Sequence, residues 1–205
     1  MNPPDTNRLH ALRMDNDAAR YRQEEMRPRF DALRNREAPR AVSAWQLFQT
    51  PATVAARMVE LADIQPADHV LEPSAGLGRL LRPIQAMNPA SVTACEINAD
   101  LAGELFRQFP TLSIWQSDFL TRTASPQFDK VIMNPPFHMR ADIKHTLHAL
   151  QFLCTGGTLV GLAMATHHRE TALQPLADYW EKLPAQTFAS EGTRVETYLF
   201  RITKP

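Results

Sequence analysis

From Trp45 onward the chain alternates short apolar runs with longer segments in which apolar positions recur every three to four residues. The short runs have the length and composition of buried strands, and the longer ones have the period of helices packed by one face. The strands expected are His69–Glu72, Val92–Glu96, Ser113–Asp118, Lys130–Asn134, Thr158–Ala163, Gln186–Ser190 and Glu196–Ile202. Helices are expected at Thr53–Ala62, Leu77–Met87, Ala99–Phe109, Ala141–Leu153 and Thr171–Leu183, with a kink at Pro83 because proline removes an intrahelical bond. Strict alternation of strand and helix predicts an α/β fold, a doubly wound sheet of seven mostly parallel strands with helices on both faces. Only Glu191–Val195 separates the last two strands, which leaves no room for a crossover helix, so the last strand is expected to run antiparallel.

Upstream the pattern changes. Residues 1–43 carry nine arginines and seven acids with few large apolar side chains, which predicts a charged helical extension preceding a domain at 44–205. Met26, Phe30 and Leu33 form one short apolar stripe that could dock on the body or pair two chains as a homodimer.

Composition narrows the function classes. Lys+Arg and Asp+Glu each number 22, so no net field draws the chain to nucleic acid and any such contact must be local. The N-terminus lacks the apolar core of a signal peptide, and Leu159–Ala165 is too short to span a bilayer, so a cytoplasmic protein with no membrane contact is expected. Cys95 and Cys154 stand among apolar residues, as buried thiols do. His145 with His148, and His167 with His168, lack the Cys or carboxylate partners of a zinc set, and no metal is expected.

Candidate chemistry concentrates at Asn134-Pro135-Pro136-Phe137, directly after the apolar run Val131-Ile132-Met133. The prolines fix φ and surrender their N–H groups, so this lip presents carbonyl oxygens and the Asn134 side chain. Acceptors on both N–H bonds of a planar amine draw its lone pair out of conjugation and make it nucleophilic. Phe137 then offers a ring for the base that carries the amine. Asn-Pro-Pro also serves simply to turn the chain out of a strand.

A second group stands upstream. Val70-Leu71-Glu72-Pro73-Ser74-Ala75-Gly76-Leu77-Gly78 runs from a strand through small residues toward a helix, and Gly76 and Gly78 would admit a ligand close to the backbone. The third glycine of the dinucleotide fingerprint is missing, and Glu72 would repel a pyrophosphate, so a cationic ligand fits better. Glu96 closes the next strand, where a carboxylate can accept ribose hydroxyls, and Asp118-Phe119 closes the third, offering an acceptor and a ring edge to an adenine.

With these residues the chain resembles the class I S-adenosylmethionine-dependent methyltransferases of the Asn-Pro-Pro-Phe/Tyr, amino-methylating type, over roughly Phe48–Ile202. Phe48-Gln49-Thr50-Pro51 is similar to the segment that precedes the glycine loop in DNA adenine enzymes, and the Gly156-Gly157 turn and Glu191-Gly192-Thr193 are similar to small enzymes of phage and plasmids. The resemblance implies a Rossmann-like methyltransferase fold and S-adenosylmethionine as cofactor. It places Thr50, Glu72, Gly76 and Gly78 at the methionine end, Glu96 at the ribose, and Ile97, Asp118 and Phe119 at the adenine. Asn134, Pro135, Pro136 and Phe137 become catalytic, with Asn134 and the Pro135 carbonyl gripping the amine.

The expected substrate is nucleic acid, first N6 of adenine in DNA. Exocyclic amines of RNA bases (guanine N2 or adenine N6) and protein glutamine stay open, because the same lip serves each. A cofactor-binding accessory module is the non-enzymatic alternative.

Overall fold

The computed structural model describes residues 49–205. The charged extension, its Met26 stripe, the homodimer contact expected there, the boundary near residue 43 and Phe48 lie outside the described residues. Seven strands form one sheet: β1 (His69–Glu72), β2 (Ser91–Glu96), β3 (Ser113–Gln116), β4 (Phe128–Met133), β5 (Leu153–Met164), β6 (Tyr179–Lys182) and β7 (Thr197–Thr203). Their order is β3-β2-β1-β4-β5-β7-β6, with β1 to β5 parallel and β7 antiparallel to both neighbours. The doubly wound, mostly parallel topology expected from the alternating pattern is therefore present.

Among the described residues five helices cover the sheet: α1 (Ala52–Ala62), α2 (Leu81–Ala86), α3 (Ala99–Gln108), α4 (Ala141–Ala149) and α5 (His167–Leu173). Val54, Met58 and Val59 of α1, Leu81 and Ile84 of α2 and Leu105 of α3 enter the core on one face, and Ala149 of α4 and Leu173 of α5 enter the core on the other. Strand β4 divides its side chains between them, Ile132 to the first core and Val131 and Met133 to the second, as a strand covered on both faces must. Each such buried aliphatic side chain contributes roughly 1.5–3 kcal/mol. Helix α3 starts where it does because the Asn98 side chain accepts from the Asp100 and Leu101 amides at 2.9 and 3.1 Å.

Three expectations are corrected. Pro83 does not kink a long helix, because α2 begins only at Leu81 and places the proline in its first turn, where no N–H is needed. The segment expected as one helix, Thr171–Leu183, breaks at Pro175 into α5, a single 3-10 turn and strand β6. Trp180 of β6 then stacks on Tyr198 and Phe200 of β7, with ring centroids 4.6 and 5.6 Å away. Gln186–Ser190 is correspondingly no strand, and its place is taken by the 3-10 turn Ala189–Glu191. The antiparallel end pair is real, but its first member comes earlier in the chain.

Gly161 of β5 lies in register with Met133 on one side and Phe200 on the other. A Cβ there would stand 2.7 Å from the Phe200 ring.

Strand order reverses between β1 and β4. In open α/β sheets the crevice beyond the carboxyl ends of the strands at such a reversal receives ligands. Glu72 ends β1 and Asn134 follows β4, so both expected groups emerge at this crevice.

Candidate active site

Thr50, Glu72, Ser74, Gly76 and Asn134 line one cleft at the reversal point, together with Gln49 and Arg79. The glycine turn and the proline lip, 62 residues apart at Glu72 and Asn134, are thus neighbours in space.

On the glycine-turn wall, Gly76 adopts φ +52°, a conformation that an L side chain would strain. Its N–H donates to Glu96 Oε2 at 2.8 Å, and the Asn98 N–H donates to Glu96 Oε1 at 2.8 Å. One carboxylate therefore fixes both the glycine turn and the turn after β2. Glu72 is only 2% exposed, and its Oε2 has no hydrogen-bond partner among the described residues. Burial pushes its carboxyl well above the ordinary range, and the nearby Glu96 carboxylate adds to the push. A buried acid with an unanswered oxygen, facing a cleft, is complementary to a cation.

Gly78 does other work. With φ +74° it lies against α3, where a Cβ would stand 2.7 Å from the Phe109 ring, and it does not line the cleft. The expected approach to a ligand belongs to Gly76, whereas Gly78 lets the turn and α3 close together. Ile97 is 64% exposed on the turn after β2, an apolar face open to a planar ring. Asp118 caps a 3-10 turn, its Oδ1 accepting from the Leu120 amide at 2.9 Å. That turn swings Phe119 inward, against His148 at 4.9 Å and Phe152 at 5.1 Å between centroids, so its ring edge does not face the cleft as expected.

On the lip wall, the Asn134 Nδ2 donates to Thr50 Oγ1 at 3.0 Å. Thr50 is an acceptor here, which turns the amide nitrogen toward Thr50 and the amide oxygen away from it. Pro135 is buried and Pro136 half-buried. Phe137 is 2% exposed, with its ring in the core cluster on the α1 side. The stacking platform expected of Phe137 is therefore closed in this structure, because the ring gains more from core burial than from standing in water. After the lip, Met139 and Arg140 have φ of +47° and +59°. Two consecutive non-glycine residues in this region cost about 1–2 kcal/mol each.

Three contacts carry no local sequence signal. Ser74 Oγ lies 3.3 Å from His145 Nδ1, tying the glycine turn to α4. Burial lowers the His145 pKa to about 4, outweighing the opposing pull of Asp118, so the ring is neutral at neutral pH. Arg79 Nε donates to Gln49 Oε1 at 2.7 Å across the cleft rim. Arg169 Nη2 donates to the Phe137 carbonyl at 2.8 Å while its Nε meets both oxygens of Asp142, at 3.2 and 3.0 Å. These contacts, Ser74–His145, Arg79–Gln49 and Arg169–Phe137, each join residues 30 or more positions apart, beyond the reach of any local motif.

A family model, the methyltransferase small domain, matches residues 54–186. The chain belongs to that family. With membership goes the enzyme class, a methyltransferase dependent on S-adenosylmethionine, as the resemblance implied. The buried Glu72 oxygen and the strained Gly76 turn suit a sulfonium donor that carries an ammonium group. Ribosomal RNA small subunit methyltransferase A of Thermosynechococcus vestitus is 34% identical over 89 residues, covering 42% of this chain and 33% of that protein. Type II methyltransferase M.HincII of Haemophilus influenzae is 30% identical over 96 residues, covering 47% of this chain and 18% of that protein. The chain thus spans a third or less of the length of these curated relatives. An RNA methyltransferase from Salinibacter ruber, solved with S-adenosyl-L-homocysteine, shares the fold with a TM-score of 0.57 at 19% identity, covering 77% of this chain and 94% of that one. Among the described residues no helix is long and apolar enough to cross a membrane.

Proposed function

We propose that this methyltransferase is of the Asn-Pro-Pro-Phe type and methylates an exocyclic amino nitrogen of a nucleic-acid base, with RNA the favoured polymer. One observation carries the reading: Asn134 shares a cleft with Thr50, Glu72 and Gly76, so an acceptor lip stands beside a donor pocket. When bound, S-adenosylmethionine supplies an electrophilic methyl. Thr50, Glu72 and Gly76 hold its methionine end, Glu96 the ribose, and Ile97 and Asp118 the adenine. Glu72 answers the ammonium and recovers its charge, which burial alone disfavours.

Asn134 accepts one N–H of the target amine through its side-chain oxygen, an orientation supported by the bond from its nitrogen to Thr50. The Pro135 carbonyl accepts the other. These acceptors localise the lone pair on nitrogen and hold it in line for attack, worth several powers of ten when geometry is correct. The amine's surplus proton leaves to solvent, so no histidine is needed as a base. For a base to stack on Phe137, the lip must lift that ring out of the core.

RNA is favoured because the ribosomal RNA enzyme of Thermosynechococcus vestitus is 34% identical in the matched region. DNA adenine is the second reading, supported by the 30% identity to the type II methyltransferase M.HincII. Incubation with methyl-labelled donor and separate pools of ribosomal RNA, DNA and protein tests the ranking. Label should enter RNA at a base amine with the native protein and be nearly absent with Asn134→Ala. Label in DNA alone would reverse the order, and label in neither nucleic acid would end the proposal.

A further inference from the structure

We infer that Arg169, held by Asp142, is a positioning residue that sets the height of the lip above the donor cleft. The inference rests on the function proposed above for its catalytic consequence, but its structural part stands separately. Pro135 and Pro136 have no N–H to give, so the middle of the lip brings no backbone donor of its own. A donor reaching a lip carbonyl from another element can hold its height. At its first residue Asn134 is bonded to Thr50, and at its last the Phe137 carbonyl accepts from Arg169 Nη2 at 2.8 Å. The lip is thus pinned at both ends by residues remote in sequence.

The second pin is built with more than one contact. Asp142 is 0% exposed, and besides Arg169 its carboxylate accepts from the Met164 amide at 3.2 Å and the Ile143 amide at 3.1 Å. Arg169 is buried as well, and its Nη1 reaches Thr166 Oγ1 at 3.4 Å. The guanidinium plane is therefore oriented by the end of β5 and the start of α4, and the carbonyl it holds inherits that orientation. Buried ion pairs add little stability over apolar residues of the same volume. What this pair supplies that leucines could not is a directed donor for one lip carbonyl. The left-handed backbone at Met139 and Arg140 follows that carbonyl after one intervening residue, and such a conformation persists only where its surroundings over-determine it.

Two variants test the inference. Arg169→Lys keeps the charge but cannot span Asp142 and Phe137 with one rigid fork, and the double variant Arg169→Leu with Asp142→Leu removes both charges so that neither is stranded. In both, kcat for methyl transfer should fall on the order of 10²-fold, the scale of a misplacement near 1 Å, with donor Kd and KM within about twofold. In donor-free protein, hydrogen exchange at the Ala141 amide, which bonds to the His138 carbonyl just past the lip, should quicken by about tenfold. A pair that serves only stability would shift Tm and leave kcat of the folded protein and this exchange unchanged, and that result overturns the inference. Native protein that methylates no substrate would defeat the proposed function instead, while faster exchange in the variants would still uphold the clamp.

Discussion

The two walls of the cleft are built by opposite means. On the glycine-turn wall the bonds are short in sequence: Glu96 accepts from Gly76, 20 residues away, and from Asn98, two residues away. On the lip wall the prolines stiffen the chain locally, but its placement depends on Thr50, 84 residues from Asn134, and on Arg169, 32 residues from Phe137. The wall that binds is set chiefly by the near neighbours of Glu96, with Ser74–His145 and Arg79–Gln49 as longer ties, whereas the wall that reacts takes both of its pins from distant parts of the chain. Damage to the first should therefore register as lost affinity, and damage to the second as lost rate.

The sharpest break in that contrast is Asn134→Ala. Removing the acceptor should lower kcat on the order of 10²–10³-fold while calorimetry finds donor affinity nearly unchanged. A large loss of affinity instead would merge the two walls into one. Glu96→Ala should do the reverse, weakening donor binding by roughly ten- to a hundredfold through loss of a charged hydrogen-bonding group, with kcat at saturating donor much less affected.

Smaller effects separate the walls by pH. His145 has a folded pKa near 4 against an ordinary 6.5, so the unfolded chain binds more protons in that window. Its contribution is complete above pH 6.5 and is lost as pH falls toward 4, roughly 2–3 kcal/mol in denaturant titrations, and His145→Asn should flatten that slope. Glu72 acts with the other sign. Its raised folded pKa means that the folded protein holds the extra proton, so donor-free stability declines as pH rises from 4.5 through the raised value. Glu72→Gln should remove this decline, a gain of about 1–3 kcal/mol at high pH, while weakening donor binding. A variant that gains no stability yet still binds donor normally would show that the buried acid is not reserved for a cation.

The same division explains what could be seen in the sequence. The alternation of strands and helices, the acids at the ends of β1 and β2 and the proline lip after β4 are local patterns, and the sheet brings Glu72 and Asn134 to one crevice with Glu96 bonded to the glycine turn beside it. Strand β6 was hidden inside an apparent helix because Tyr179 and Trp180 suit either state, and only their packing on β7 selects extended backbone. Phe119 and Phe137 were readable as aromatics beside the site, but their inward orientation depends on core space that no local motif records. Arg169 and Asp142 carry no local signal of their role, since their pairing spans 27 residues.

Gly161 shows how far this dependence extends. It has no functional group, yet Phe200 occupies the space above it and Met133, the last residue of β4, runs alongside. Adding a single methyl group at this point, within the strand that pairs with β4, would drive the aromatic ring aside. A mutation screen scoring only chemically active positions would overlook it, although it stands in register with the residue immediately before Asn134.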